Sequence, residues 1–328
     1  MSLPAASAGV ARQRAGRTPA RRPSPSVRAA LARQSLRPPQ GPAKPLPQPL
    51  PFMSTPATPA DLLALLRTHP RWTVLTGAGI STASGIPDYR DAKGAWKRPA
   101  PVQFQDFMGA EATRQRYWAR SLIGWPVFAQ AQPNAAHQGL AQLEQAGHVH
   151  QLITQNVDGL HQRAGSSAVV DLHGRLDQVV CMQCRTLSPR ADYQHALLAA
   201  NGHWQHRHAS AAPDGDADLS GVDFSAFVVP PCPLCGGIVK PDVVFYGENV
   251  PRERVNGALA RLAESDALLV VGSSLMVMSG LRFVHAARAE GKPVAAINLG
   301  VTRGDALMNM KMEAPCAHVL QALVTTFA

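Results

Sequence analysis

Long apolar runs are missing from this 328-residue chain: the longest, such as ALLVVG at 267–272, are strand-sized. They fall far short of the roughly 18–20 residues that cross a bilayer, so no membrane partner is expected. Acidic residues are missing from the first 52 positions, which hold eight Arg, one Lys and 11 Pro. The formal charge of +10 therefore sits on that tail, leaving 23 basic against 22 acidic residues for the other 276. A nucleic-acid-binding domain carries its basic footprint on the fold itself, so no nucleic-acid partner is expected either. Cysteine is scarce, at five, and four of the five form two Cys-x-x-Cys pairs. With no secretory apolar segment ahead of them, these cysteines point to a reducing compartment.

Residues 1–52 show no hydrophobic periodicity and read as a disordered Arg/Pro-rich tail. An Arg-rich, acid-free start also suits a mitochondrial presequence, but 11 prolines break the amphipathic helix such a segment needs. A bacterial cytoplasm with translation from Met53 is the expected setting, with the mitochondrial matrix as the alternative. Directly after Met53, Thr58-Pro59-Ala60-Asp61 supplies an N-cap, a first-turn proline and an acid three residues past the cap. The folded part is expected to begin there, and its 45% hydrophobic content is enough for a sizeable core.

From residue 72 onward, WTVLTG, VHQLITQN, AVVDLHG, DALLVVGSS and PVAAINLG alternate with longer helix-like segments. Runs apolar on both faces, spaced by helices, predict a doubly wound parallel sheet of α/β, Rossmann-like class. Ligands of such sheets sit at the carboxyl ends of the strands, so Gly77, Asn156, Gly272, Ser273 and Asn298 should converge on one crevice. The rhythm stops between about 181 and 240. The expected division is therefore a Rossmann-like domain over 53–180 and 241–328, with a small inserted module at 181–240.

That module holds Cys181-x2-Cys184 and, 47 residues later, Cys232-x2-Cys235, which suit the four thiolates of a closed, structural tetrahedral zinc site, with buried unmetallated cysteines or a redox pair as the alternatives. His173 lies eight positions ahead of Cys181 and admits three readings: a further metal ligand, a structural histidine, or a general base at a strand end. Because four sulfurs already close the zinc shell, the ligand reading loses its main reason. His203, His206 and His208 fall in a polar stretch and read as solvated. Gly77-Ala78-Gly79-Ile80-Ser81 follows a strand and suits a backbone approach to a diphosphate, although the Gly-x-Gly-x-x-Gly fingerprint is absent, position 82 being Thr. A plain tight turn explains it equally. In the loop at 85–91, Arg90 suits a phosphate or ribose, with Asp88 orienting it; a solvated ion pair is the alternative. Gln155-Asn156-Val157-Asp158 suits a carboxamide and ribose hydroxyls, or simply a helix cap.

Taken in order, GAGIS, GIPDYR, QNVD, LHG, the two cysteine pairs, KPDVVFYGE and VVGSSL resemble a sirtuin over roughly residues 60–325. RQRYWAR, the APDGD stretch and VVGSSLMVMSG are similar to the class II branch, which includes the fourth mammalian sirtuin and many bacterial proteins. The resemblance implies an NAD-dependent protein lysine deacylase, with NAD consumed, one structural Zn2+ and an acyl-lysine peptide in the cleft. It implies NAD contacts from Gly77, Ala78, Gly79, Ile80, Ser81, Pro87, Asp88, Tyr89, Arg90 and Trp96. Gln155, Asn156, Val157 and Asp158 would surround the nicotinamide and its ribose. Gly272, Ser273, Ser274, Asn298, Leu299, Gly300 and Cys316 match the adenosine side. Val244, Phe245 and Gly247 match a segment that clamps the peptide as an added strand. His173, with Asn156, takes the catalytic role: the acyl oxygen expels nicotinamide, and His173 deprotonates a ribose hydroxyl that attacks the resulting imidate. Products would be free lysine, nicotinamide and O-acyl-ADP-ribose. Tyr117-x-x-Arg120 resembles a pair that binds acidic acyl chains, an exposed helix with scattered Arg being the alternative. A monomer is expected. Mono-ADP-ribosyl transfer and NAD sensing with little turnover are the competing functions.

Overall fold

The computed structural model describes residues 57–327 except 92, 96, 98–100, 205–218 and 220. The tail at 1–52, the Met53 start, Trp96, His206, His208 and the APDGD stretch lie outside the described residues.

Six parallel strands form the main sheet in the order β3-β2-β1-β7-β8-β9. They are β1 (Trp72–Thr76), β2 (Val149–Thr154), β3 (Val169–Asp171), β7 (Ala267–Val271), β8 (Val294–Ile297) and β9 (Met310–Met312). Three further strands, β4 (Gly174–Cys181), β5 (Leu187–Pro189) and β6 (Val239–Val243), make a separate antiparallel sheet in the order β5-β4-β6. The five apolar runs read from the sequence are all strands of the main sheet. β9 was not legible, because three residues centred on Lys311 carry no apolar run.

Alternation along each central strand explains the layers. Val74, Leu269, Val271 and Ile297 point to one face; Leu75, Leu268, Val270 and Ala296 point to the other. The first face packs on α1 (Pro59–Thr68), α4 (Ala135–Gln145) and α9 (Cys316–Phe327) through residues such as Leu62, Leu140 and Leu320. The second packs on α7 (Arg252–Glu264) and α8 (Met278–Ala289) through Leu262 and Phe283. The sheet is thus covered on both sides, as an all-parallel sheet must be. Thr58 starts α1 with the capping box expected of it, its side chain accepting from Asp61 N while the Asp61 carboxylate takes the Thr58 N–H.

The strand order reverses at β1, whose neighbours are β2 on one side and β7 on the other. That reversal opens a crevice at the carboxyl ends, where the chain leaves Thr76, Thr154 and Val271 side by side.

The small sheet has its own aromatic core. It combines Val179 and Val239 with Trp204, Phe227 and Tyr193, the last on α6 (Arg190–Ala200). Phe107 of α2 (Phe104–Gly109) and Tyr117, Trp118 and Leu122 of α3 (Glu111–Gln130) complete it. One short helix, α5 (Leu160–Arg163), joins β2 to β3.

Candidate active site

A cleft of about 690 Å³ lies at the strand-order reversal, bounded by the ends of β1, β2, β7 and β8, by His173 and by residues 243–250. It collects the predicted residues Gly77 to Ser81, Pro87 to Arg90, Gln155 to Asp158, Gly272 to Ser274, Asn298, Leu299, Cys316, Tyr117, Val244, Phe245 and Gly247. Gly300 and Arg120 are not among the residues lining it.

The glycines of the first loop have a packing role at the strand ends. A Cβ on Gly77 would stand 2.8 Å from the Ser273 Cβ, and one on Gly79 would stand 2.9 Å from the Gly272 carbonyl oxygen. Gly79 N–H donates to that carbonyl at 2.9 Å, and the amides of Gly77, Ile80 and Ser81 bond Val271, Gly77 and Ala78. Bare backbone here lets the β1 and β7 ends close on each other.

Beneath the loop runs a buried polar chain. Asn134 N–H donates to His137 Nδ1 at 3.3 Å, which leaves the proton on Nε2 to face Ser81 Oγ at 3.4 Å. Ser81 in turn donates to Asp158 Oδ2 at 2.7 Å and accepts from Asn156 Nδ2 at 3.0 Å. Asp158 Oδ1 also takes the Leu160 N–H, at the start of α5, at 2.9 Å. Asn156 Nδ2 further donates to the Gly77 carbonyl at 3.1 Å. His161 lies against His137 with ring centroids 4.8 Å apart and planes tilted by 59°, and it meets Thr76 Oγ1 through Nε2 at 3.0 Å. Neither histidine was legible in the sequence; PNAAH offers only a capping residue followed three places on by His137, and its burial is a tertiary fact.

His173 follows β3 and faces the cleft. Its Nδ1 lies 2.9 Å from the Gln155 carbonyl, and because a carbonyl only accepts, Nδ1 carries the proton. Nε2 meets Ser279 Oγ at 2.7 Å. Burial pushes the ring down to about 4, against a rise from the Gln155 bond, with Arg254 and Arg282 adding to the depression. The imidazole is therefore neutral near pH 7, with its lone pair on Nε2.

Burial likewise pushes His137 down to about 4 and takes His161 well below the ordinary histidine range, the neighbouring ring adding to the latter effect. A depressed histidine pKa means the unfolded chain binds more protons, so stability is full above about pH 6.5 and falls toward pH 4. Fully protonated, His137 and His173 each cost on the order of 3 kcal/mol. The calorimetric melting temperature should be flat above pH 7 and drop continuously across that window; a flat profile down to pH 5 would contradict buried neutral histidines.

Beside His173 runs the segment 243–248. Val244 N–H donates to the His173 carbonyl at 2.8 Å, and Gly174 pairs with Val243. Gly174 has φ +83°, and a Cβ there would lie 2.0 Å from the Asp242 carbonyl oxygen, so no other residue fits. Lys240, only 3% exposed, donates to the Val243 carbonyl and to Glu248 Oε2 at 3.1 Å, and it lies over the Phe245 ring. Glu248 also accepts the Phe245 N–H at 3.0 Å. A buried ion pair thus fixes the turn of this segment.

Some pairings differ from those expected. Asp88 pairs with Lys97, while Arg90 donates to the Gly94 carbonyl at 2.7 Å. Tyr117 reaches the cleft from an aromatic cluster with Phe107 and Phe245. Arg120 does not, because three residues along a helix of about 3.6 per turn rotate it about 60° away. Asn298 is buried and spends its amide on the Leu299 and Gly300 carbonyls, which shapes the loop at the β8 end.

Outside the cleft, Cys181, Cys184, Cys232 and Cys235 bring their sulfurs within 4.8 Å of one another, the one such metal-binding group among the described residues. Cys181 Sγ is 3.4 Å from Cys235 Sγ, and Cys184 Sγ is 3.8 Å from Cys232 Sγ. Tetrahedral sulfurs about 2.3 Å from a central ion stand about 3.8 Å apart, so the donor set fits a metal. His173 belongs to a separate site.

An α/β sheet with a ligand crevice at its order reversal and a Cys-rich insert defines a nucleotide-cleft enzyme class. This chain belongs to the Sir2 family, whose model matches residues 77–279. It is 61% identical over 269 residues to an NAD-dependent protein deacetylase of Bordetella bronchiseptica, covering 81% of this chain and 98% of that protein. Among solved structures, a Sir2 complex with a p53 peptide and NAD+ matches with TM-score 0.66 and 27% identity, over 82% of this chain and 98% of that one. Sir2Tm bound to a propionylated peptide matches with TM-score 0.64 and 29% identity, over 81% and 97%.

Proposed function

We infer that this protein is an NAD-dependent protein lysine deacylase. The observation that carries the reading is the meeting, in one cleft, of the 77–81 loop, the 155–158 turn, neutral His173 with its lone pair on Nε2, and the 243–247 segment. The relatives' names and the bound peptides of the solved structures support it.

Bound NAD supplies an electrophilic ribose carbon and a good leaving group in nicotinamide. The chain's own residues do the rest. Asn156 and Asp158, tied together through Ser81, hold the nicotinamide ribose end. Gly272, Ser273, Ser274, Asn298 and Cys316 receive the adenosine side. Val244, Phe245 and Gly247 hold the peptide, and His173 Nε2 accepts the proton of a ribose hydroxyl so that the acyl group passes to that oxygen. Zinc is proposed for the four-cysteine site, with a structural role, since four thiolates leave no open position. It would hold the 181–240 module against the Rossmann-like domain of 53–180 and 241–328. RQRYWAR and VVGSSLMVMSG support placement in the class II branch, and a bacterial cytoplasm is the proposed setting. No helix among the described residues is long and apolar enough to cross a membrane.

Acetyl, succinyl, glutaryl, methylglutaryl, lipoyl and biotinyl peptides should be incubated with NAD and read by mass spectrometry. Nicotinamide release is expected only with an accepted acyl-peptide, in step with free lysine and O-acyl-ADP-ribose. Because Arg120 lies off the cleft lining, neutral acyl groups should outpace succinyl and glutaryl. Release without peptide, with ADP-ribose on protein, would instead identify a mono-ADP-ribosyltransferase; binding without release would identify an NAD sensor.

A further inference from the structure

We propose that Ser279 is the positioning residue for the base: its hydroxyl holds His173 Nε2 aimed into the cleft and yields that place to the substrate hydroxyl. The proposal rests on the reading of His173 as base.

The geometry closes on itself through Gln155. Its carbonyl takes the Nδ1 proton of His173 at 2.9 Å. Its side chain lies against Gly280, where a Cβ would come within 2.6 Å of the Gln155 Nε2. That close approach seats the first turn of α8 on Gln155 and so sets Ser279, one residue earlier, at 2.7 Å from the other ring nitrogen. The Gln155 Oε1 is itself held by the Ser273 hydroxyl at 2.5 Å. Both nitrogens of the imidazole are thus tied to elements that touch each other, and the ring cannot swivel while both bonds stand.

The direction of the second bond follows from the first. With the proton on Nδ1, Nε2 offers a lone pair, so Ser279 O–H donates. This is the interaction a substrate hydroxyl makes with a general base just before proton transfer. Ser279 lines the cleft and is half-buried, so a hydroxyl arriving from the cleft side can take over the lone pair. What remains after the exchange is a ring already in the productive tautomer and orientation.

Charged groups facing the ring are Arg254 from α7 and Arg282 from α8, with Asp171 of β3 acting on Arg254. Neither arginine takes part in the Ser279 bond, so removing the hydroxyl leaves their influence in place.

The experiment compares Ser279→Ala, Ser279→Thr and His173→Ala with the parent chain. In NAD-free protein, imidazole nitrogen NMR should find His173 protonated on Nδ1. Loss of a donor to Nε2 stops favouring the unprotonated ring, so its apparent pKa should rise by about one unit in Ser279→Ala. In turnover, kcat should fall about tenfold with KM for NAD and for acyl-peptide within twofold, as for a lost orienting contact. Ser279→Thr, which keeps the hydroxyl, should restore both readouts. Unchanged titration and unchanged kcat in Ser279→Ala would overturn the proposal, as would equal loss in the Thr variant. If Ser279→Ala does not fold, Ser279→Cys, a near-isostere with a weak donor, takes its place under the same criteria. Full deacylation by His173→Ala would instead remove the base reading itself, which separates the two failures.

Discussion

Replacing His173 with Ala should lower deacylation by about 10²–10⁴-fold while leaving bound metal and NAD affinity nearly unchanged. The size follows from the removal of the proton acceptor, since His173 is the one histidine among the described residues that line the cleft. The selectivity follows from distance in the fold: His173 bonds Gln155, Ser279 and, by its carbonyl, Val244, and none of these touches the cysteine cluster. Because burial holds the ring at about 4, the parent enzyme should keep its base unprotonated throughout the mildly acidic range. The acid limb of kcat/KM attributable to this group should therefore lie well below pH 6.5. Steady-state kinetics across pH, isothermal NAD titration and metal analysis check the three parts. Loss of metal in His173→Ala would overturn the separation of the two sites.

Replacing Cys181 with Ser should act through the fold. Cys181 ends β4, pairs with Val239 of β6 and packs under Gly237, where a Cβ would lie 3.0 Å from its sulfur. A serine there removes one of four thiolates from the proposed zinc site, and a structural metal contributes folding free energy directly; such sites in small peptides are worth about 10–16 kcal/mol. Only part of that is at stake in a module with its own aromatic core, but a lowered melting transition, loss of about one equivalent of metal and loss of activity are expected together. Atomic emission and circular dichroism on one preparation would check this. A variant with metal gone, stability intact and activity unchanged would contradict a structural role.

Sequence and structure agree where local pattern and tertiary role coincide. β1, β7 and β8 are buried on both faces, so each reads as a plain apolar run. The polar residues that end those strands line the crevice for the same reason: the reversal of strand order gathers them. Agreement fails where a contact depends on distant packing. Ser279 sits in an ordinary helix start, and only the closeness of Gly280 to Gln155 gives it a catalytic neighbour. The aromatic core of the small sheet takes Phe107, Trp118, Tyr193 and Phe227 from three separate stretches, so helices α2 and α3 gave no local sign of packing there. Gly77 and Gly79 carry a packing role that their local sequence did not show. They admit a neighbouring strand end.

The bond from Val244 N–H to the His173 carbonyl makes the segment proposed to hold the peptide and the proposed base parts of one rigid gauge. A substrate side chain starting from that segment must span a distance the protein does not adjust. Ornithine is one methylene short of lysine, and an error of about 1 Å at a reacting centre can cost about 100-fold in rate. Selectivity for lysine over its shorter homologue would then reside in backbone spacing, with no side chain assigned to measure it.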